Sequence, residues 1–194
     1  MSDETNPKAG SVYLRALSLE DLPRVLKWHN DQALYATLGG PFRYVGLEAE
    51  EQWFRRILDD RNQVNLAICT TATATGEHIG NIYLRDIDWI SRHGELHAFI
   101  AVPDCRGKGY GTEATRQLLR HAFCDLGLLR VFLHVLADNE AAIGVYSRCG
   151  FAVEGRLRQH AFKEGESRDV LVMGICHSGL PTASSTPLDF DVPE

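Results

Sequence analysis

Three glycines alternating with larger residues, in Arg106-Gly107-Lys108-Gly109-Tyr110-Gly111-Thr112, constrain the fold more than any other stretch of this chain. Residues 95–102 ahead of them read as a strand that Pro103 ends. Behind them Ala114, Leu118, Leu119, Ala122, Phe123 and Leu126 recur at helical spacing until Gly127, a natural stop. A strand therefore hands over to a helix through a loop almost bare of side chains. There successive backbone N–H groups can turn toward one point while the helix N-terminus adds partial positive charge, a geometry that binds phosphate or pyrophosphate. Arg106 and Lys108 put full charges at its rim. Spacing excludes the two commonest nucleotide loops. A Walker A loop needs Ser or Thr after its Gly-Lys, whereas Gly109 follows Lys108; a dinucleotide fingerprint needs Gly-x-Gly-x-x-Gly, which positions 107, 109 and 111 miss.

Around this loop short strand patterns alternate with amphipathic helices, the sign of an α/β layered domain. Strands are predicted at 12–15, 64–69, 79–87, 131–136, 151–154 and 170–175 in addition to 95–102. The second and third should pair as a hairpin across the polar turn 70–77, and a polar segment with Arg156, Arg158 and Gly165 separates the last two. Ser18-Leu19-Glu20-Asp21 has the form of a capping box opening a helix with Leu22, Val25 and Leu26 on one face. A further helix spans 47–58, with Trp53, Phe54, Ile57 and Leu58 as its apolar set. Another begins at Asp138 or Asn139, places Ala142, Val145, Tyr146 and Cys149 on one face, and closes at Gly150. One domain over 11–176 is expected, between flexible polar tails at 1–10 and 177–194.

Composition narrows the function classes. With 194 residues, 44% of them hydrophobic, the chain supplies one substantial core. No window approaches the roughly 18 uninterrupted apolar residues of a membrane span, and the first residues lack the basic and then apolar regions of a signal peptide, so the expectation is a cytoplasmic protein without a membrane partner. Five scattered cysteines contain no Cys-x-x-Cys and read as reduced, mostly buried thiols; none combines with the eight histidines at zinc spacing, so no metal is expected. A formal charge of −6 argues against nucleic acid and mildly favours a cationic amine. A homodimer is among the assemblies such a chain permits.

Arg-Gly-x-Gly-x-Gly between a strand and a long helix resembles the coenzyme A loop of the GNAT N-acetyltransferase superfamily. A second match stands at the family's distance: Asn139, Ala142, Tyr146, Gly150 and Phe151 form Asn-x-x-Ala-x-x-x-Tyr-x-x-x-Gly-Phe. Val12-Tyr13-Leu14-Arg15, Ile79-Gly80-Asn81-Ile82, Gly109 through Ala114 and Glu154-Gly155-Arg156-Leu157-Arg158 are similar to the branch that includes the ribosomal-protein N-terminal acetyltransferases. The resemblance spans residues 12–175. It implies an α/β (α+β) fold with a central mixed, mostly antiparallel sheet of about six to seven strands, flanked by about four helices and splayed at the coenzyme A site. It also implies an acetyl-CoA-dependent N-acetyltransferase that passes acetyl to a primary amine in a ternary complex. The acceptor is either a protein N-terminal amine or a small amine such as a polyamine or an antibiotic. A catalytically silent acyl-CoA sensor is the other reading.

Within the resemblance Tyr146 is the general acid for the departing thiolate, since a phenol is protonated at neutral pH. Arg106, Gly107, Lys108, Gly109, Tyr110, Gly111 and Thr112 hold the pyrophosphate. Asn139 caps its helix, bonds the pantetheine arm, or does both, and Ala142 is small enough to let coenzyme A pass. Backbone N–H groups of Ile100, Ala101 and Val102 are candidate oxyanion donors where the strand splays from its neighbour. Glu95, or His97 on the same side of the strand, is the candidate base. Trp28, Trp53, Trp89, Tyr35 and Phe42 are candidates for the acceptor wall.

Overall fold

A computed structural model describes residues 12–71 and 76–177. The expected N-terminal tail, part of the 70–77 turn and all of the C-terminal tail except His177 lie outside them. His177 itself donates its N–H to Leu129 O at 2.9 Å.

Among the described residues the strands are β1 (Val12–Ala16), β2 (Val64–Thr70), β3 (Glu77–Asp88), β4 (His93–Ile100), β5 (Arg130–Leu136), β6 (Ala152–Lys163) and β7 (Glu166–Cys176). They form one sheet in the order β1-β2-β3-β4-β5-β7-β6. Every neighbouring pair is antiparallel except β4 and β5. That parallel pair follows from its connection, a helical crossover rather than a hairpin.

Period-two alternation feeds two cores from the same strands. Ile82, Leu84, Leu96, Val131, Leu133 and Met173 face Leu118 and Leu119 of α4 (Tyr110–Arg120) and Tyr146 of α5 (Glu140–Arg148). On the opposite face Ala67, Cys69, Tyr83 and Phe99 meet α1 (Leu22–His29), α2 (Gln32–Ala36) and α3 (Leu47–Asp59) through Val25, Trp28, Leu34 and Phe54. Each fully buried Leu or Ile in these layers contributes about 2 kcal/mol. The turn before α1 is held by the expected box residues: Ser18 N–H donates to Asp21 Oδ2 at 3.0 Å, and Arg15 clamps the same carboxylate at 2.8 and 2.7 Å.

The β4–β5 pairing is short. It comprises His93/Arg130, Gly94/Val131 and Glu95/Phe132, after which the strands diverge. On the far sides pairing continues, from β4 to β3 as far as Ile100/Gly80 and from β5 to β7 as far as Leu136/Val170. The sheet is therefore open as a wedge whose vertex is Glu95 and Phe132.

Two sequence expectations change, and one short helix leaves no mark in the sequence. The polar segment around Arg156 and Arg158 is strand, not connection: β6 runs on to Lys163 and turns at Glu164 and Gly165, both at positive φ. Register shifts at Val153/Gly155 and Leu157/Ala161 break the alternation that would have marked it. The five-residue α2 carried no helical period long enough to read. Of the cysteines, all free, Cys124 and Cys176 are exposed rather than buried.

Candidate active site

The glycine loop enters α4 at Tyr110, two residues ahead of the expected start at Thr112. Gly107 and Gly109 have φ of +72° and +84°, and a Cβ added at either would meet nothing within 4 Å. Backbone conformation, not crowding by the protein, demands glycine there. The space that a side chain would fill is left free in front of the first N–H groups of α4, which have no partner within the helix. Thr112 Oγ1 is buried beside them with no hydrogen-bond partner among the described residues. An open cradle of donors with one orphaned hydroxyl fits a phosphate-bearing substrate.

This cradle forms one end of a cleft of about 520 Å³. Arg106, Gly107, Gly109, Tyr110, Gly111 and Thr112 line it on the loop side, Ile100 on β4, and Asn139, Ala142 and Tyr146 on α5. Lys108, Ala101 and Val102 do not. Arg106 turns back to the strand: its Nε donates to Ile100 O at 2.9 Å and its Nη2 to Ala101 O at 3.3 Å.

Of the three expected oxyanion donors, the N–H groups of Ala101 and Val102 are both spent on Ile79 O, at 2.8 and 3.2 Å. Antiparallel alternation then turns the Ile100 N–H away from β3, into the open wedge. Asn139 is a helix cap. Its Oδ1 accepts the Ala142 N–H at 3.1 Å, and its Nδ2 donates to Thr37 O at 3.0 Å. Tyr146 is buried edge-on to Phe151, and burial pushes its phenol up to about 12, so it stays protonated across the physiological range.

Glu95 and His97 do not line this cleft. They stand at the wedge vertex on the α1–α3 face, where Glu95 Oε1 lies 2.6 Å from His134 Nδ1 and Oε2 lies 3.5 Å from His97 Nε2. Burial pushes the Glu95 carboxyl up, but hydrogen bonds and charge from His97 and His134 outweigh it and hold the group at about 2. A carboxylate so weakly basic is a poor proton acceptor.

The acetyltransferase (GNAT) domain family matches residues 11–152. The chain belongs to the GNAT acetyltransferase family. Spermidine N(1)-acetyltransferase of Vibrio cholerae serotype O1 is 36% identical over 166 residues, covering 85% of this chain and 92% of that protein. The Escherichia coli (strain K12) spermidine N(1)-acetyltransferase is 29% identical over 181 residues, 93% and 94% of the two chains. The crystal structure of spermidine N-acetyltransferase from Vibrio cholerae in complex with CoA and spermine matches with a TM-score of 0.79 at 27% identity, covering 86% of this chain and 95% of that one. This GNAT protein is accordingly an N-acetyltransferase with acetyl-CoA as its acetyl donor.

The front of the GNAT enzyme was the least legible part. Trp28 belongs to the core, packed edge-on to His78 and Phe99. Trp89 sits at the β3–β4 turn, bonded to Asn62 Oδ1, at the end of β4 remote from the cleft. Tyr35 and Trp53 both pack edge-on to His29 on the α1–α3 side, and Phe42 packs against Tyr35. Residues that the sequence reading missed come from α2 and the segment after it. Leu34, Thr37 and Leu38 close the cleft opposite α5, and this segment is tied down twice more, by Lys163 to Tyr35 O and Gly40 O and by Asn30 to Val45. No periodicity marks so short a helix. His134 and Phe132 are the alternate positions, facing the α1–α3 side, of an otherwise apolar strand, and the contact of His134 with Glu95 leaves no trace in the sequence.

Proposed function

We propose that this GNAT enzyme acetylates a small aliphatic amine of the polyamine class. The observation that carries the reading is the strap formed by α2 and residues 37–45, which lines the cleft with Leu34, Thr37 and Leu38 and is bonded to Asn139 through Thr37 O and to Lys163 through Tyr35 O and Gly40 O. A strap held at residues 35, 37 and 40 covers part of the acceptor side, which favours a short, slender acceptor over an extended peptide. The spermidine acetyltransferases named above support the same class, and the net charge of −6 favours a cationic substrate.

In this reading acetyl-CoA is a substrate whose pyrophosphate takes the N–H groups at the start of α4 and the Thr112 hydroxyl. Its acetyl-bearing arm runs along the open edge of β4, where the Ile100 N–H polarises the thioester carbonyl. The amine nitrogen attacks the carbonyl carbon, a C–N bond forms and the C–S bond breaks. Tyr146 donates its phenolic proton to the departing thiolate and regains one from the nitrogen as the adduct collapses. Holding both partners in one cleft contributes much of the acceleration by proximity.

Thiol release from acetyl-CoA, measured with spermidine, spermine and serine- or alanine-initiated tetrapeptides, tests the assignment. The expected result is a kcat/KM for a polyamine at least tenfold above that of any peptide; the reverse order overturns it.

A further inference from the structure

We propose that His134 on β5 is the base that takes the first proton from the acceptor ammonium, with Glu95 on β4 as its positioning residue. The inference rests on the amine acetyl transfer described above and not on which amine is used.

Two independent features carry it. The first is the bridge across the wedge vertex. A carboxylate accepts only, so the 2.6 Å contact places the imidazole proton on Nδ1 and leaves the lone pair on Nε2. No protein donor reaches that nitrogen among the described residues. Since Glu95 pairs with Phe132 in register, His134 lies two residues along the β5 edge of the opening, level with His97 on the β4 edge. Both are on the α1–α3 face of the sheet, which the proposed reading gives to the amine, and neither lines the cleft that takes the acetyl-CoA arm.

The second feature is a bulge in β6. Gln159 adopts φ +52°, unfavourable for a residue with a side chain, at the Leu157/Ala161 register shift. Asp169 holds it there, accepting the Gln159 N–H at 2.8 Å and Arg156 Nε at 2.7 Å. The adjacent His160 is thereby stacked on His134, ring centroids 6.5 Å apart and 19° from parallel. A strained bulge that delivers one imidazole onto another is a built arrangement rather than a solvated edge.

The titratable and charged groups around His134 are Glu95 and His97 from β4, His160 from β6, and Arg85, which pairs with Glu95 in register but lies over Tyr83. Glu95 is the anion in contact with His134 and stands beside the positive charge that forms on proton transfer. Proton accounting closes. The ammonium gives one proton to His134 Nε2, which passes it from its exposed ring to water, and the nitrogen gives its second to Tyr146 after attack. The net products are amide, free thiol and one proton.

The test is the pH dependence of kcat/KM for His134→Gln, Glu95→Gln and His97→Gln, with spermidine and with a serine-initiated tetrapeptide as acceptors, alongside CoA affinity. His134→Gln should lower kcat about 100-fold and remove the acidic limb of the profile, with CoA affinity within twofold. Glu95→Gln should lower kcat about tenfold, because the imidazole loses the carboxylate that fixes its proton on Nδ1. Retention of the limb and of kcat in His134→Gln, or loss of the limb in His97→Gln alone, overturns the proposal. A shift in preference from spermidine to the peptide would overturn the acceptor class and leave the His134 result standing.

Discussion

Lys163 Nζ, at the tip of the β6–β7 hairpin, donates to Tyr35 O on α2 at 2.8 Å, across a separation of 128 residues. The ammonium is buried and also reaches Gly40 O, so two carbonyls of the strap depend on one side chain. Lys163→Met keeps the aliphatic stem and deletes both bonds. Thermal stability should fall by about 1–3 kcal/mol, and the KM of the amine should rise several-fold while kcat changes little. Steady-state kinetics with calorimetry checks both; an unchanged KM would detach the strap from acceptor binding.

Tyr146→Phe removes only the hydroxyl. Turnover should fall about 100-fold with CoA affinity within twofold. In the native enzyme burial holds this phenol at about 12, above the ordinary value, so the proton to be donated is present at every pH up to that range. Activity should therefore show no alkaline decline from Tyr146 between pH 8 and 10. A decline that Tyr146→Phe abolishes would place its ionisation lower than the structure implies.

Gly109→Ala combines two penalties. At φ +84° any side chain is strained by about 1 kcal/mol, and its Cβ projects into the free space of the phosphate cradle. CoA should bind at least tenfold more weakly while the fold survives, as read by calorimetric titration and circular dichroism. Undiminished affinity would move the pyrophosphate elsewhere.

Asp21 supplies a pH dependence unrelated to catalysis. Burial pushes its carboxyl up, but Arg15, the Ser18 N–H and His78 outweigh this and hold it at about 2 against an ordinary 3.8. A depressed carboxylate contributes stability that is complete above its unfolded value and lost as pH falls through the folded one. The loss should thus fall between about pH 4 and 2 and amount to about 2 kcal/mol. Asp21→Asn should be less stable at pH 7, with a flatter acid denaturation profile in that window. Equal acid profiles for the two proteins would refute the assignment.

What could be read from the chain was local. The strand, loop and helix around Gly109 lie within some thirty residues, and the Asn139 to Phe151 pattern within one helix, so covalent spacing alone exposes them. The strap could not be read, because α2 is shorter than two turns and its anchor, Lys163, is distant in sequence. β6 was cut short because bulges at Gly155 and Gln159 reset the alternation on which strand recognition depends. Glu95 is one of two candidate bases in the sequence, yet its proton affinity depends on His97 beside it and on His134, 39 residues away and brought near only by the parallel pairing of β4 with β5.

The three residue pairs that join β4 to β5 divide the sheet into two blades. One carries β1 to β4, the other β5 to β7, and beyond Glu95 no backbone rungs hold them together. A substrate lying in that gap acts as a missing strand, so its binding energy becomes part of the cohesion between the blades. At one hundred times its dissociation constant it adds about 2.7 kcal/mol to the folded state. The unliganded enzyme should breathe at this seam, with exchange at the Ile100 amide slowed on loading, so that donor concentration would tune the cohesion of the two blades as well as the rate.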